Sequence, residues 1–259
     1  MSPPLFALQD IQAGYDDALV VRGVNVEANR DEIVAIIGPN GAGKTTLLKA
    51  AYGLLPLAAG RVLLSGEDVS GLRPDRLTRR GLNLVPQSAN VFPMLTVAEN
   101  LHVGSLALPR SERRTQVERV VEAFPFLRER SRQRAGTLSG GQRKLLALAR
   151  ALAARPYMLL LDEPSAGLSP AAIDLVFDKL IEIRASGIGI VMVEQNARRA
   201  LAHSDRGYVL DMGRNAYTGT GKALLDDPRV VELYLGASSA TASISTSTSA
   251  PSGMKPATK

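Results

Sequence analysis

The sequence predicts an α/β protein built around a mainly parallel sheet. Short, wholly apolar and largely β-branched runs such as Ile33–Ile37 suit strands buried on both faces. Helical patterns lie between several of these runs, and strands alternating with helices imply parallel pairing, with helices covering both faces. A chain of 259 residues with 45% hydrophobic content is long and apolar enough for a large buried core.

Taken in order, residues 5–27 mix apolar and polar positions, with strict alternation at Val24, Asn25, Val26 and Glu27. That pattern reads as half-buried antiparallel strands forming a small added sheet. Ile33–Ile37 then meets a glycine-rich turn and a helix-forming stretch over residues 44–51. Further strand-like runs occupy residues 61–64, 82–85, 157–161, 188–193 and 207–210. Helical periodicity marks residues 96–106, 111–124, 141–153 and 170–184. Residues 110–134 hold eight arginines among four glutamates. The mixed signs and the spacing of Val117, Val120, Val121 and Phe124 favour an amphipathic helix with a solvated face over a nucleic-acid patch. Beyond residue 236 the composition turns rich in Ser, Thr and Ala, with too little apolar surface to order itself, so residues 237–259 read as a disordered tail.

Composition excludes several kinds of chemistry. With no cysteine there is no disulfide framework, thiol nucleophile or thiolate-held zinc, and the two histidines, His102 and His203, make a histidine-rich metal centre improbable. A net charge of +6 is too small to argue for nucleic acid unless it is clustered. Neither a targeting segment nor an apolar run of about 18 residues is present, which predicts a soluble, cytoplasmic chain.

Two constellations carry chemistry. Gly38-Pro39-Asn40-Gly41-Ala42-Gly43-Lys44-Thr45 matches G-x-x-x-x-G-K-[ST], with a strand before it and a helix after it. Its backbone N–H groups and the helix dipole suit phosphate; Lys44 suits the β- and γ-phosphates, and the Thr45 hydroxyl suits magnesium. A bland glycine-rich turn with a chance lysine is the competing account. The second constellation is a buried strand at residues 157–161 running into Asp162 and Glu163. Adjacent carboxylates at the end of a buried strand call for a cation, so Asp162 fits a magnesium role and Glu163 the activation of water. Alone, these carboxylates could instead open a helix before Pro164 and Ser165.

Leu138-Ser139-Gly140-Gly141-Gln142 resembles the signature motif of ATP-binding cassette ATPases, in the family's order relative to the other motifs. An N-capping serine ahead of two glycines is its local structural meaning. The resemblance spans residues 5–236 and implies a P-loop NTPase core with an antiparallel β subdomain and a helical subdomain at about residues 88–153. It also implies that Ser139, Gly140, Gly141 and Gln142 face ATP held by a second cassette. Thr46 joins the nucleotide-binding set, Tyr15 is similar to the aromatic that stacks on adenine, and Gln87 to the glutamine that touches magnesium and water. Each of the last two also has an ordinary reading, a strand-edge tyrosine and a loop amide.

The family's usual switch histidine is replaced by Gln195 in Val193-Glu194-Gln195-Asn196, which can donate a hydrogen bond but does not titrate near neutral pH. The loop Ser165-Ala166-Gly167-Leu168-Ser169-Pro170, which would contact a facing subunit, also departs from the common S-A-L-D. Together with the Tyr234-Leu235-Gly236 ending, these features resemble the LivF-type subunit of branched-chain amino acid importers.

That resemblance implies ATP and Mg2+ as ligands and a head-to-tail dimer with a LivG-like cassette or with a second copy. It further implies two membrane permeases, an extracytoplasmic binding protein and a position on the inner face of the plasma membrane, with no nucleic-acid role. Uptake of urea or short amides, lipopolysaccharide export and a non-transport single-cassette ATPase are the alternatives.

Overall fold

The computed structural model describes residues 3–235 apart from Asp17 and Ala89. The expected tail at 237–259, and the Gly236 boundary, lie outside the described residues. Six strands form the main sheet in the order β10-β9-β3-β8-β7-β6. They are β3 (Ile33–Ile37), β6 (Leu82–Val85), β7 (Met158–Asp162), β8 (Gly189–Val193), β9 (Arg206–Asp211) and β10 (Arg214–Thr220). The five from β9 to β6 are parallel, and β10 is an antiparallel edge.

A second, antiparallel sheet holds β1 (Phe6–Tyr15), β2 (Ala18–Ala28), β4 (Leu57–Leu64) and β5 (Glu67–Asp68). The run at 61–64 therefore belongs to this added sheet, with Leu8 opposite Val62.

The helices are α1 (Lys44–Ala51), α2 (Pro74–Arg79), α3 (Val97–Gly104), α4 (Arg110–Ala123), α5 (Pro125–Glu129), α6 (Gly140–Leu152), α7 (Pro170–Ala185), α8 (Ala197–Ala202), α9 (Gly221–Asp226) and α10 (Pro228–Val230). Helices α3 to α6 all lie between β6 and β7 in the chain.

The buried strands alternate between two cores. Ile33, Ala35, Ile37, Leu159, Leu161, Ile190 and Met192 pack with Leu146, Phe177, Leu180 and other residues of the helical layer. Val34, Ile36, Leu160, Val191 and Val193 pack instead with Leu47 and Leu48 of α1 and with Phe6, Leu8, Val24, Val26 and Val62 of the antiparallel sheet. Helices on both faces was the expectation; one face is in fact closed by α1, α2 and a sheet together. The reason is local: on either side of their bulges β1, β2 and β4 place Phe6, Leu8, Ile11, Val24, Val26 and Val62 on one buried face, and that apolar face has to be covered. In α4, Val120 and the following Phe124 are buried while Val117 and Val121 pack partly against the core. Among the described residues no helix is long and apolar enough to cross a membrane.

Candidate active site at the strand ends

Strands β3, β8, β7 and β6 are consecutive and parallel, so their carboxyl ends emerge side by side. From those ends come the phosphate loop, Glu194 with Gln195, Asp162 with Glu163, and Gln87. Open α/β sheets place ligands at this edge, because the strand ends deliver loops that are free to carry polar groups.

The loop from Gly38 to Gly43 runs between β3 and α1. A Cβ on Gly38 would sit 2.1 Å from the Leu210 carbonyl oxygen, so only glycine lets the loop pass β9. Gly43, at φ 97°, precedes α1 in a left-handed conformation, and no side chain caps that helix start. Its first N–H groups therefore have no side-chain acceptor, the condition under which a helix start binds an anion. Lys44 is buried, and its Nζ donates to the carbonyl oxygens of Gly38 (2.7 Å) and Pro39 (3.0 Å). Burial lowers the pKa of this ammonium, opposed by the charges of Glu163, Asp162 and Glu194. Asn40, Gly41, Gly43, Lys44, Thr45, Thr46, Glu163 and Val20 line a cleft of about 160 Å3.

Asp162 ends β7 almost fully buried, and the Thr45 hydroxyl donates to its Oδ1 at 3.0 Å. Burial holds the Asp162 carboxyl above its ordinary range, opposed first by the Thr45 bond and then by Lys49, Lys144 and Lys44. Glu163 has a left-handed backbone, φ 45°, which is sparsely populated for a non-glycine residue. Its N–H donates to the Val193 carbonyl at 2.9 Å, and its Oε2 accepts from Gln87 Nε2 at 2.6 Å. The strained turn therefore places the Glu163 carboxylate over the phosphate cleft and within reach of the Gln87 amide. Among the described residues no cluster of three or more His, Asp or Glu side chains forms a metal cage. The paired oxygens of Thr45 and Asp162 fit Mg2+, which takes one or two carboxylates and completes its shell with phosphate and water.

Gln195 is exposed and lines a second cleft, of about 430 Å3, together with Glu163, Ser165, Gly167 and Glu194. Beneath it Glu194 is buried and accepts from Ser165 N (2.8 Å), Ser165 Oγ (2.9 Å) and Gln195 N (3.2 Å). Burial pushes the Glu194 carboxyl up, the Glu163 charge adds to that, and the Ser165 and Gln195 bonds oppose it.

Two sets of expected residues stand apart from these clefts. Tyr15 ends β1 opposite Ala18, 46% exposed, and lines neither cleft. Ser139 is exposed and caps α6: its Oγ accepts from Gln142 N at 3.3 Å, while Ser139 N donates to Gln142 Oε1 at 3.1 Å. A Cβ on Gly141 would come within 2.8 Å of the Ala172 Cβ, so that glycine also serves the contact between α6 and α7. Ser139, Gly140, Gly141 and Gln142 do not line the clefts beside Glu163.

Sequence reasoning passed over Lys144 and the bonding role of Glu194. Both left a signal. Lys144 falls on the same helical stripe as Ala147, Leu148 and Ala151, all buried, and a lysine on an apolar stripe needs an internal partner. Glu194 continues the apolar run of β8 as Asp162 continues β7.

Comparison with known proteins agrees with this architecture. Residues 21–166 match the family model described as "ABC transporter". The chain is 41% identical to the high-affinity branched-chain amino acid transport ATP-binding protein BraG of Pseudomonas aeruginosa, covering 90% of this chain and all of that protein. It is 36% identical to the lipopolysaccharide export system ATP-binding protein LptB of Escherichia coli K12, over 88% of this chain and 95% of the other. A nucleotide-free ATP-binding cassette from an ABC transporter superposes with a TM-score of 0.80 at 29% identity, covering 90% of this chain and 99% of that one. With a phosphate loop, a carboxylate strand and a signature helix start in one cassette, the chain belongs to the ATP-binding cassette transporter family, as one of its nucleotide-binding ATPase subunits.

Proposed function

We propose that the chain hydrolyses Mg-ATP to drive an importer of branched-chain amino acids. The observation that carries the hydrolytic part is the meeting of the phosphate loop, the Thr45–Asp162 pair, Glu163 and Gln87 at one sheet edge. Gly38, Pro39, Asn40, Gly41, Ala42 and Gly43 wrap the β- and γ-phosphates by backbone, with Lys44, Thr45 and Thr46 completing the cradle and Tyr15 against adenine. Thr45, Asp162 and Gln87 hold Mg2+, which when bound offsets phosphate charge. Glu163 takes a proton from the attacking water as its oxygen bonds the γ-phosphorus and ADP departs. Gln195 donates to the γ-phosphate from the other side.

The Ser139–Gln142 face lines neither cleft of this chain, so in this reading it serves a nucleotide held elsewhere. It closes the site of a facing cassette, a LivG-like subunit or a second copy, in a head-to-tail pair. Residues 88–153 act as the helical subdomain beside the permeases, at the inner face of the plasma membrane. The higher identity to BraG than to LptB supports amino-acid import over lipopolysaccharide export.

Glu163→Gln tests the site: ATP affinity stays within about twofold while turnover falls by about 10²-fold or more. Parental turnover in that variant removes Glu163 from the chemistry. In cells the same variant abolishes high-affinity leucine uptake; undiminished uptake alongside lost ATPase activity overturns the substrate and leaves the hydrolytic reading in place.

A further inference from the structure

Helix α6 reaches inward as well as outward. It is capped by exposed Ser139 and carries half-buried Gln142 in its first turn, and less than two turns after the cap the same helix buries Lys144, only 4% exposed. The Lys144 ammonium lies 3.3 Å from the backbone carbonyl oxygen of Gln87 and 3.5 Å from that of Glu163. It therefore sits between the two segments whose side chains meet at 2.6 Å above it. Those segments are 76 residues apart in the chain and leave different strands. Burial lowers the pKa of this ammonium, while Glu194, Asp162 and Glu163 oppose that shift. A desolvated lysine is tolerated where fixed oxygens and carboxylates surround it, and its compact charge attracts whatever oxygens line its pocket.

We propose that Lys144 is a positioning residue that sets the Gln87 amide and the Glu163 carboxylate by holding both backbone carbonyls, and so ties the outward start of α6 to hydrolysis in the same chain. The assignment rests on the reading of Glu163 and Gln87 given above. It makes α6 a lever. A facing nucleotide that draws on Ser139 at one end moves Lys144 at the other, and the carbonyls of Gln87 and Glu163 follow. The Lys144 ammonium bonds to those two backbone carbonyls, and its charge also acts on the carboxylates of Asp162, Glu163 and Glu194 around it.

The test uses the assembled transporter, with the partner cassette's own site inactivated, carrying Lys144→Met, of similar length but uncharged, or Lys144→Arg, which keeps the cation. Turnover in Lys144→Met falls by about tenfold or more while KM for Mg-ATP stays within about twofold, since the phosphate cradle is untouched. Lys144→Arg recovers most of the loss. Adding Gln87→Ala to Lys144→Met costs less than the product of the two single losses, because both act on the same placement. Hydrogen exchange gives a readout independent of turnover. In Lys144→Met, peptides spanning Gln87 and Glu163 exchange at least about fivefold faster, while those of β7 and the remainder of α6 keep the parental rate.

Parental exchange at both segments overturns the proposal, as does uniform loosening of the core or a strictly multiplicative double variant. If Glu163→Gln is inactive but Lys144→Met turns over like the parent, only the lever fails. If Glu163→Gln itself retains turnover, the site reading fails with it.

Discussion

Two helix starts in this molecule are built in opposite ways. Helix α1 begins after Gly43 with no side-chain cap, and its first residues, Lys44 and Thr46, are buried at the sheet edge. Helix α6 begins at exposed Ser139, whose side chain and that of Gln142 satisfy each other's backbone N–H groups in a capping box. An uncapped start leaves donors and the positive end of the dipole available to an anion, whereas a capped start has already used two of its donors. The difference teaches that the start of α1 keeps its donors free of side-chain partners while the start of α6 is satisfied by its own side chains.

Removing Lys44 tests the contrast most severely. Lys44→Ala deletes a charge-assisted contact to phosphate worth roughly 1.5–3 kcal/mol, so nucleotide affinity falls by roughly 10–150-fold in a titration of the isolated chain. Unchanged affinity contradicts the assignment of the α1 start as the phosphate site.

Gln195 sharpens it next. Gln195→Ala slows turnover of the assembled transporter by an amount corresponding to roughly 1–3 kcal/mol, provided the partner's own site has been inactivated. Gln195→His retains turnover and acquires a pH dependence near ~6.5, where imidazole changes charge and an amide does not. Equal rates for Gln195→Ala and the parent from about pH 5.5 to 8 remove the side chain from the switch role.

The smallest effect is at the other helix. Ser139→Ala loses the cap acceptor and lowers stability by about 1 kcal/mol, readable as a lower Tm or denaturant midpoint, with nucleotide affinity of the isolated chain unchanged. A matching loss of affinity would mean that the α6 start serves this chain's own nucleotide.

Much of this was legible in the chain because it is local. The phosphate loop is eight consecutive residues between a strand and a helix, and Asp162 and Glu163 follow one apolar run, so their order in sequence is their order in space. The antiparallel placement of residues 61–64 was not legible, since an apolar run does not say which sheet it will join. Strand β10 was missed for a related reason. Arg-Asn-Ala-Tyr-Thr-Gly-Thr has little apolar content, and it becomes a strand by pairing back along β9, with Arg214 opposite Asp211.

What the sequence determined by itself, then, was the α/β class, the phosphate loop with its flanking strand and helix, the carboxylate pair and the cap at Ser139. Each depends on interactions within a few residues, which spacing and residue type specify. Only the tertiary structure decided that Thr45 meets Asp162, that Gln87 meets Glu163, that Glu194 grips Ser165, and that Lys144 lies beneath two strand ends. Those partners are 117, 76, 29 and, for Lys144, 57 and 19 residues apart. Their meeting depends on the order in which parallel strands stack, and strand order is a property of the whole packed core and not of any one segment.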